Sequence, residues 1–258
     1  MLVAIDVGNT QTVLGLFEGE DLAHQWRVST VRERTADEYE LFFAGLLCQG
    51  GYRLEQIDGV ALSSVVPEVK EALTATARRL VAGEVLVVGP GVKTGMAINI
   101  DVPHEVGADR VVNAVAARER YGAPVVCVDF GTSTNFDVVD SGGAYVGGAI
   151  APGLEVSERA LILATAALRR VEVHPPRSAI GRSTVEAMQS GLIYGHAGLV
   201  DGIIDRLVAE VGGEPARVAT GGLASTIVPH CRSVDVVDDR LTLDGLRLIY
   251  QRNTGDAR

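Results

Sequence analysis

At 258 residues, 47% of them hydrophobic, the chain is long enough for one large domain or two modest ones around a substantial core. Its 33 acidic against 23 basic residues leave a formal net charge of -10. That charge argues against nucleic acid as a general partner, because such affinity comes largely from lysine and arginine neutralising phosphates. An anionic substrate therefore needs a local basic or metal-bearing pocket. Cys48, Cys127 and Cys231 form no CxxC pair and sit among apolar neighbours, so neither a disulfide framework nor a zinc site is indicated, and a reducing, cytoplasmic setting is expected. Met1 leads at once into a strand-like run without a basic n-region, and no segment approaches the length of a bilayer span, so no membrane association is expected.

In chain order, Leu2 to Val7, Val13 to Phe17, Val60 to Ser63, Val85 to Val88, Val125 to Asp129 and Arg217 to Thr220 read as short strands alternating with helical patterns, which argues for an α/β fold. Thr35 and Glu38 have capping-box spacing before Leu41 to Leu47, as do Ser183 and Glu186 before a long apolar-periodic stretch, and Pro67 opens another helix. Within Thr184 to Val211, Gly191, Gly195, Gly198 and Gly202 recur every three or four residues. They indicate either a face where another backbone approaches closely or a helix broken near Gly195.

The most informative feature of the organisation is an internal echo. DVGNT at Asp6 to Thr10 and DFGTS at Asp129 to Ser133 each end an apolar strand, and each leads through a further strand to a hairpin-like turn, at Glu18 to Asp21 and at Asp140 to Gly143. The repeat implies a duplicated fold with domains 1–121 and 122–258, divided near Tyr121 to Pro124. A glycine after a strand-terminal aspartate lets backbone amides approach a phosphate, while Asn9, Thr10 and Thr132 offer polar groups to its oxygens. A carboxylate beside a polyphosphate is repulsive unless a cation neutralises it, so magnesium is expected with Asp6 and Asp129. Taken singly, each motif reads better as an ordinary strand-ending turn; two copies in corresponding positions reverse that preference.

Other motifs are weaker. Gly89 to Gly95 reads as a turn, and Ala219-Thr220-Gly221-Gly222 is either a plain strand-to-helix turn or a place for a base or ribose to lie against backbone. Gly107-Ala108-Asp109-Arg110 sets a carboxylate and a guanidinium at a helix start. Arg110 there can clasp a substrate carboxylate and Asp109 accept the proton of an attacking hydroxyl, or the pair can serve helix-dipole compensation and a surface ion pair. The five histidines show no paired helical spacing, and Arg169, Arg170, Arg177 and Arg182 read as solvated faces.

The ordered set DVGNT, GADR, DFGTS, GGAIAPG (Gly147 to Gly153), GRST (Gly181 to Thr184) and TGG resembles the type III pantothenate kinases over nearly the whole chain. That resemblance implies a duplicated actin-like (ribonuclease H-like) ATPase fold, with two mixed-sheet domains and a cleft between them. It implies ATP-dependent phosphorylation of pantothenate to 4′-phosphopantothenate, the first step of coenzyme A synthesis, by a homodimer requiring magnesium and potassium or ammonium. Residue by residue it implies that Asp6, Val7, Gly8, Asn9, Thr10, Gln11, Thr12 and Val13 form the first phosphate loop, with Asp6 meeting magnesium directly or through water. Asp129 is then the monovalent-cation ligand, and Thr132, Gly221 and Gly222 meet ATP. Gly107, Ala108, Asp109 and Arg110 hold pantothenate, Asp109 is the general base, and Thr184 completes the pocket from across the dimer interface. The chain departs from the family at Ile100, where many members carry a substrate-pocket tyrosine, and at Ser133 and Asn135. Two rival readings are a kinase of another small metabolite, such as a sugar, and a non-catalytic regulatory homologue.

Overall fold

The computed structural model of the chain describes residues 1–255. It divides into two compact units: 1–97, 101–116 and 241 onward form the first, and 98–100 with 117–240 the second. This differs from a single cut after Tyr121, because the last helix returns to the first unit; residues 256–258, assigned above to the second domain, lie outside the described residues.

The first unit is built on β1 (Leu2–Val7), β2 (Gln11–Glu18), β3 (Asp21–Ser29), β4 (Gly59–Ser64) and β5 (Glu84–Val87), ordered β3-β2-β1-β4-β5. β1 pairs antiparallel with β2 and parallel with β4. Its near-continuous apolar run suits a central strand covered on both faces, whereas the edge strand β3 is largely exposed. Helix α1 (Ala36–Gln49) starts at the expected capping box: Glu38 N–H donates to Thr35 Oγ1 at 3.3 Å, and Thr35 N–H donates to Glu38 Oε2 at 2.7 Å. Helix α2 (Pro67–Leu80) carries its proline at the first turn, as expected. Helix α3 (Ala108–Tyr121) begins in this unit.

The second unit repeats the plan with β6 (Val125–Phe130), β7 (Ser133–Val139), β8 (Tyr145–Pro152), β9 (Ala216–Thr220) and β10 (Val236–Val237), ordered β10-β9-β6-β7-β8. β6 pairs antiparallel with β7 and parallel with β9, so each strand of the first sheet has a counterpart five positions later. The echo of two pentapeptides is thus matched by two sheets of identical topology. Helices α4 (Leu154–Leu163), α5 (Thr184–Val211) and the short α6 (Ala224–Ile227) complete this unit, with a core around Phe130, Phe136, Ile193 and Ile204. Helix α7 (Leu241–Thr254) packs on β1 and β4 of the first unit.

Helix α5 runs unbroken past Gly195 for 28 residues. Side chains added at Gly191, Gly195 or Gly198 would meet nothing within 4 Å, so no backbone of the described chain approaches that face. No helix among the described residues is long and apolar enough to cross a membrane.

Candidate active site

The first aspartate loop leaves the C-terminal end of β1. Asp6 lies opposite Ser63 of β4 in the parallel register, and the Ser63 hydroxyl donates to Asp6 Oδ1. The turn closes through Gly8 N–H to the Gln11 carbonyl at 2.9 Å. Thr30, just past β3, braces it: its hydroxyl donates to the Gly8 carbonyl at 2.8 Å, its N–H donates to the Thr10 carbonyl at 2.9 Å, and Oγ1 lies 2.9 Å from that of buried Thr12. Arg27 Nη1 donates to Gln11 Oε1 at 2.9 Å, and Arg32 Nη2 to Asn9 Oδ1 at 3.2 Å. Asn9, Thr10 and Gln11 are exposed.

The second loop is held by backbone packing. Asp129 lies opposite Asn135 of β7 and Thr220 of β9. Gly221 takes φ +96°, and a side chain there would come within 2.5 Å of Asp129 Oδ1, 2.6 Å of the Phe130 nitrogen and 2.7 Å of its oxygen. The TGG turn and the DFGTS turn therefore lie against one another, a contact that requires glycine. Gly153 N–H donates to the Thr132 carbonyl at 3.1 Å, and a side chain on Gly153 would sit 2.4 Å from that oxygen. Ser133 and Asn135, two of the three positions read above as departures from the family pattern, bond to each other beside Asp129, with Ser133 Oγ donating to Asn135 Oδ1 at 2.9 Å.

Asp109 sits in the first turn of α3, half-buried, with Arg110 N–H donating to its Oδ1 at 2.9 Å. Burial pushes its carboxyl above the usual aspartate range, against the hydrogen bond and charge of Arg110. A side chain on Gly107 would stand 2.5 Å from that same oxygen, so glycine at 107 is what lets the carboxylate fold back over the helix start. Further along α3, Asn113 Oδ1 accepts from the Thr242 hydroxyl at 2.7 Å, and Gly245 of α7 lies against the Val112 carbonyl.

Ile100 belongs to the second unit. Neighbouring Asn99 N–H donates to the Tyr145 carbonyl at 2.8 Å, and Ile100 Cγ2 lies 3.7 Å from where a Gly147 side chain would begin. Thr184, also in this unit, is the exposed first residue of α5. Its helix is capped by Ser183, which accepts from Glu186 N–H at 3.2 Å, while Glu186 reaches Arg182 N–H at 2.8 Å. Gly181 is pressed against this first turn, since a side chain there would fall 2.3 Å from the Ala187 nitrogen.

In the sequence alone, Ser63 and Gly153 had no role beyond a strand end and a motif end, and Arg27, Thr30 and Arg32 stood unremarked. Only Ser63 carried a signal, a hydroxyl ending an otherwise apolar strand. The others act through register or close approach across the fold.

Two such sheets, each ending its central strand in an aspartate loop, define the architecture of the actin-like ATPases and sugar kinases. The chain superposes on an activator of 2-hydroxyisocaproyl-CoA dehydratase from Clostridium difficile with bound ADPNP, with a TM-score of 0.54 and 12% identity over 99% of this chain and 95% of the other. It also superposes on the ROK hexokinase of Thermus thermophilus, with a TM-score of 0.52 and 15% identity over 97% and 99%. At these identities the likeness is one of fold. The sequence model of type III pantothenate kinase matches residues 2–206. A type III pantothenate kinase of Moorella thermoacetica is 51% identical over 254 residues, 98% of this chain and 100% of the relative, and one of Syntrophus aciditrophicus is 49% identical over 254, again 98% and 100%. The chain belongs to the type III pantothenate kinase family.

Proposed function

We propose that the protein transfers the γ-phosphoryl group of ATP to the primary hydroxyl of pantothenate, yielding 4′-phosphopantothenate and ADP, the first step of coenzyme A biosynthesis, and that it does so in the cytoplasm. Full-length identity of 51% to a type III pantothenate kinase carries this reading, and Asp109 supplies a physical rationale for it. Phosphoryl transfer depends chiefly on positioning and charge neutralisation. A half-buried carboxylate whose pKa is raised by burial is a better proton acceptor than an ordinary aspartate. Asp109 takes the hydroxyl proton, the freed oxygen forms a bond to the γ-phosphorus, and the bond from that phosphorus to the β,γ-bridging oxygen breaks to release ADP. Gly107, Ala108 and Arg110 hold the acceptor, with Arg110 directed to its carboxylate.

In this reading Asp6 to Val13 line the nucleotide phosphates, and Thr132, Gly221 and Gly222 meet ATP. Asp6 faces magnesium, directly or through water, and Asp129 binds potassium or ammonium. Asp6 and Asp129 offer carboxylate oxygens beside backbone and hydroxyl oxygens, a donor set suited to hard cations. Bound there, the cations would neutralise charge on the transferring phosphoryl group. Ile100 stands on the acceptor side as an aliphatic wall in place of an aromatic hydroxyl. The reading includes a homodimer in which Thr184 completes the partner's acceptor pocket. The bare glycine face of α5, the helix that Thr184 opens, supports it, as a second copy can come close to the helix backbone there.

Purified protein supplied with ATP, magnesium and potassium is expected to phosphorylate pantothenate, to slow when sodium replaces potassium, and to lose about 10²–10⁴-fold in rate in D109N. Absence of product under potassium or ammonium would move the assignment to another acceptor; nucleotide binding without any turnover would favour a regulatory protein. Sedimentation showing only single chains at assay concentrations would refute the dimer.

A further inference from the structure

Several arginines of this acid-rich chain settle on carboxylates: Arg79 pairs with Asp37, Arg120 with Asp238, Arg217 with Asp235 and Arg232 with Asp201. Arg27 and Arg32 form no ion pair among the described residues; both donate to neutral amide side chains of the first phosphate loop. The two differ in how they are held. Arg27 lies within β3, in register with Val13, with its backbone fixed by the ladder. Arg32 lies beyond the strand, between Thr30, which bonds Gly8 and Thr10, and Thr35, which caps α1. Its backbone is thus tethered at both ends while its side chain is exposed beside Asn9.

We infer that Arg32 is a ligand of the nucleotide's phosphates, kept beside the loop by Asn9 until the nucleotide arrives. A hydrogen bond between neutral amide and guanidinium is readily exchanged. A phosphate oxygen offers a charged acceptor, a shorter and roughly twofold stronger bond, and geometry that matches the guanidinium fork. The exchange also places a permanent positive charge where Asp6 and a polyphosphate otherwise meet with like charge. This assignment rests on the ATP-dependent reading above and adds to it a residue outside the Asp6 to Val13 loop.

Calorimetric titration of ATP and of adenosine, without pantothenate, tests it in wild type, R32Q, R32K and R27Q, with thermal unfolding to confirm that each variant is folded. R32Q is expected to weaken ATP by about tenfold or more and to leave adenosine unchanged. R32K is expected to recover part of the loss, since it keeps the charge but not the fork. R27Q, which removes only a brace on Gln11, is expected to weaken ATP by less than R32Q does. In an N9A background R32Q should still weaken ATP; if it has no further effect there, the arginine acts only through Asn9 and the inference is wrong. Equal losses for ATP and adenosine, or no loss, overturn it as well. A wild type that binds ATP but does not phosphorylate pantothenate sinks the acceptor assignment and leaves this test intact.

Discussion

The two aspartate loops occupy equivalent positions in two sheets of the same topology, yet they are secured by different means. In the first unit, side chains brace the loop: Ser63 bonds Asp6, Thr30 bonds the Gly8 carbonyl, and Arg27 and Arg32 hold Gln11 and Asn9. In the second, backbone lies on backbone, with Gly221 against Asp129 and Phe130 and with Gly153 against the Thr132 carbonyl. Side-chain braces can be exchanged one at a time, so the first loop is suited to trading internal partners for a ligand's. Backbone contact leaves no room for a single extra carbon, so the second loop is a fixed shape. Duplication preserved the strand order and the aspartate, and the two copies then met the same demand through different chemistry.

The strongest challenge to this contrast is G221A. A methyl group at φ +96° is strained in itself and meets three atoms within 2.7 Å, so unfolding free energy should fall by about 2–4 kcal/mol, read from denaturant midpoints. G131A in the same loop, whose nearest neighbour would be 3.5 Å away, should cost below about 1 kcal/mol. Equal losses at the two positions would show that backbone contact is not what holds the second loop.

A smaller effect separates the units by pH. Burial raises the Asp109 carboxyl above its unfolded-state value, so ionising it is harder in the folded chain. Stability from this group is therefore full below the unfolded-state pKa and is lost as pH rises through the folded-state value. D109N removes the charge and should melt above wild type at neutral pH, with the gap closing as the solution is taken below the ordinary carboxylate range. A gap that stays constant with pH would mean that Asp109 carries no burial penalty.

Much of this molecule is written locally in its sequence. Apolar runs bounded by turn residues located the central strands, Thr35 with Glu38 and Ser183 with Glu186 marked real helix starts, and the repeated Asp-x-Gly foreshadowed two sheets of one topology. These are properties of strand period, capping and turn conformation, which act over a few residues. The ordered motifs were enough to indicate the family that the comparisons establish. Other features were settled only by tertiary structure. The glycines of α5 looked like a break or a tight contact, yet the helix is continuous and their face is bare within the chain, because burial of Leu192, Ile193, His196 and Val200 on the opposite face outweighs the propensity lost at each glycine. The return of α7 to the first unit, the seating of Gly221 on Asp129 and the aim of Arg32 at Asn9 join residues far apart in the chain. No local rule encodes such pairs: they arise only when strand register and helix packing bring distant residues within bonding distance.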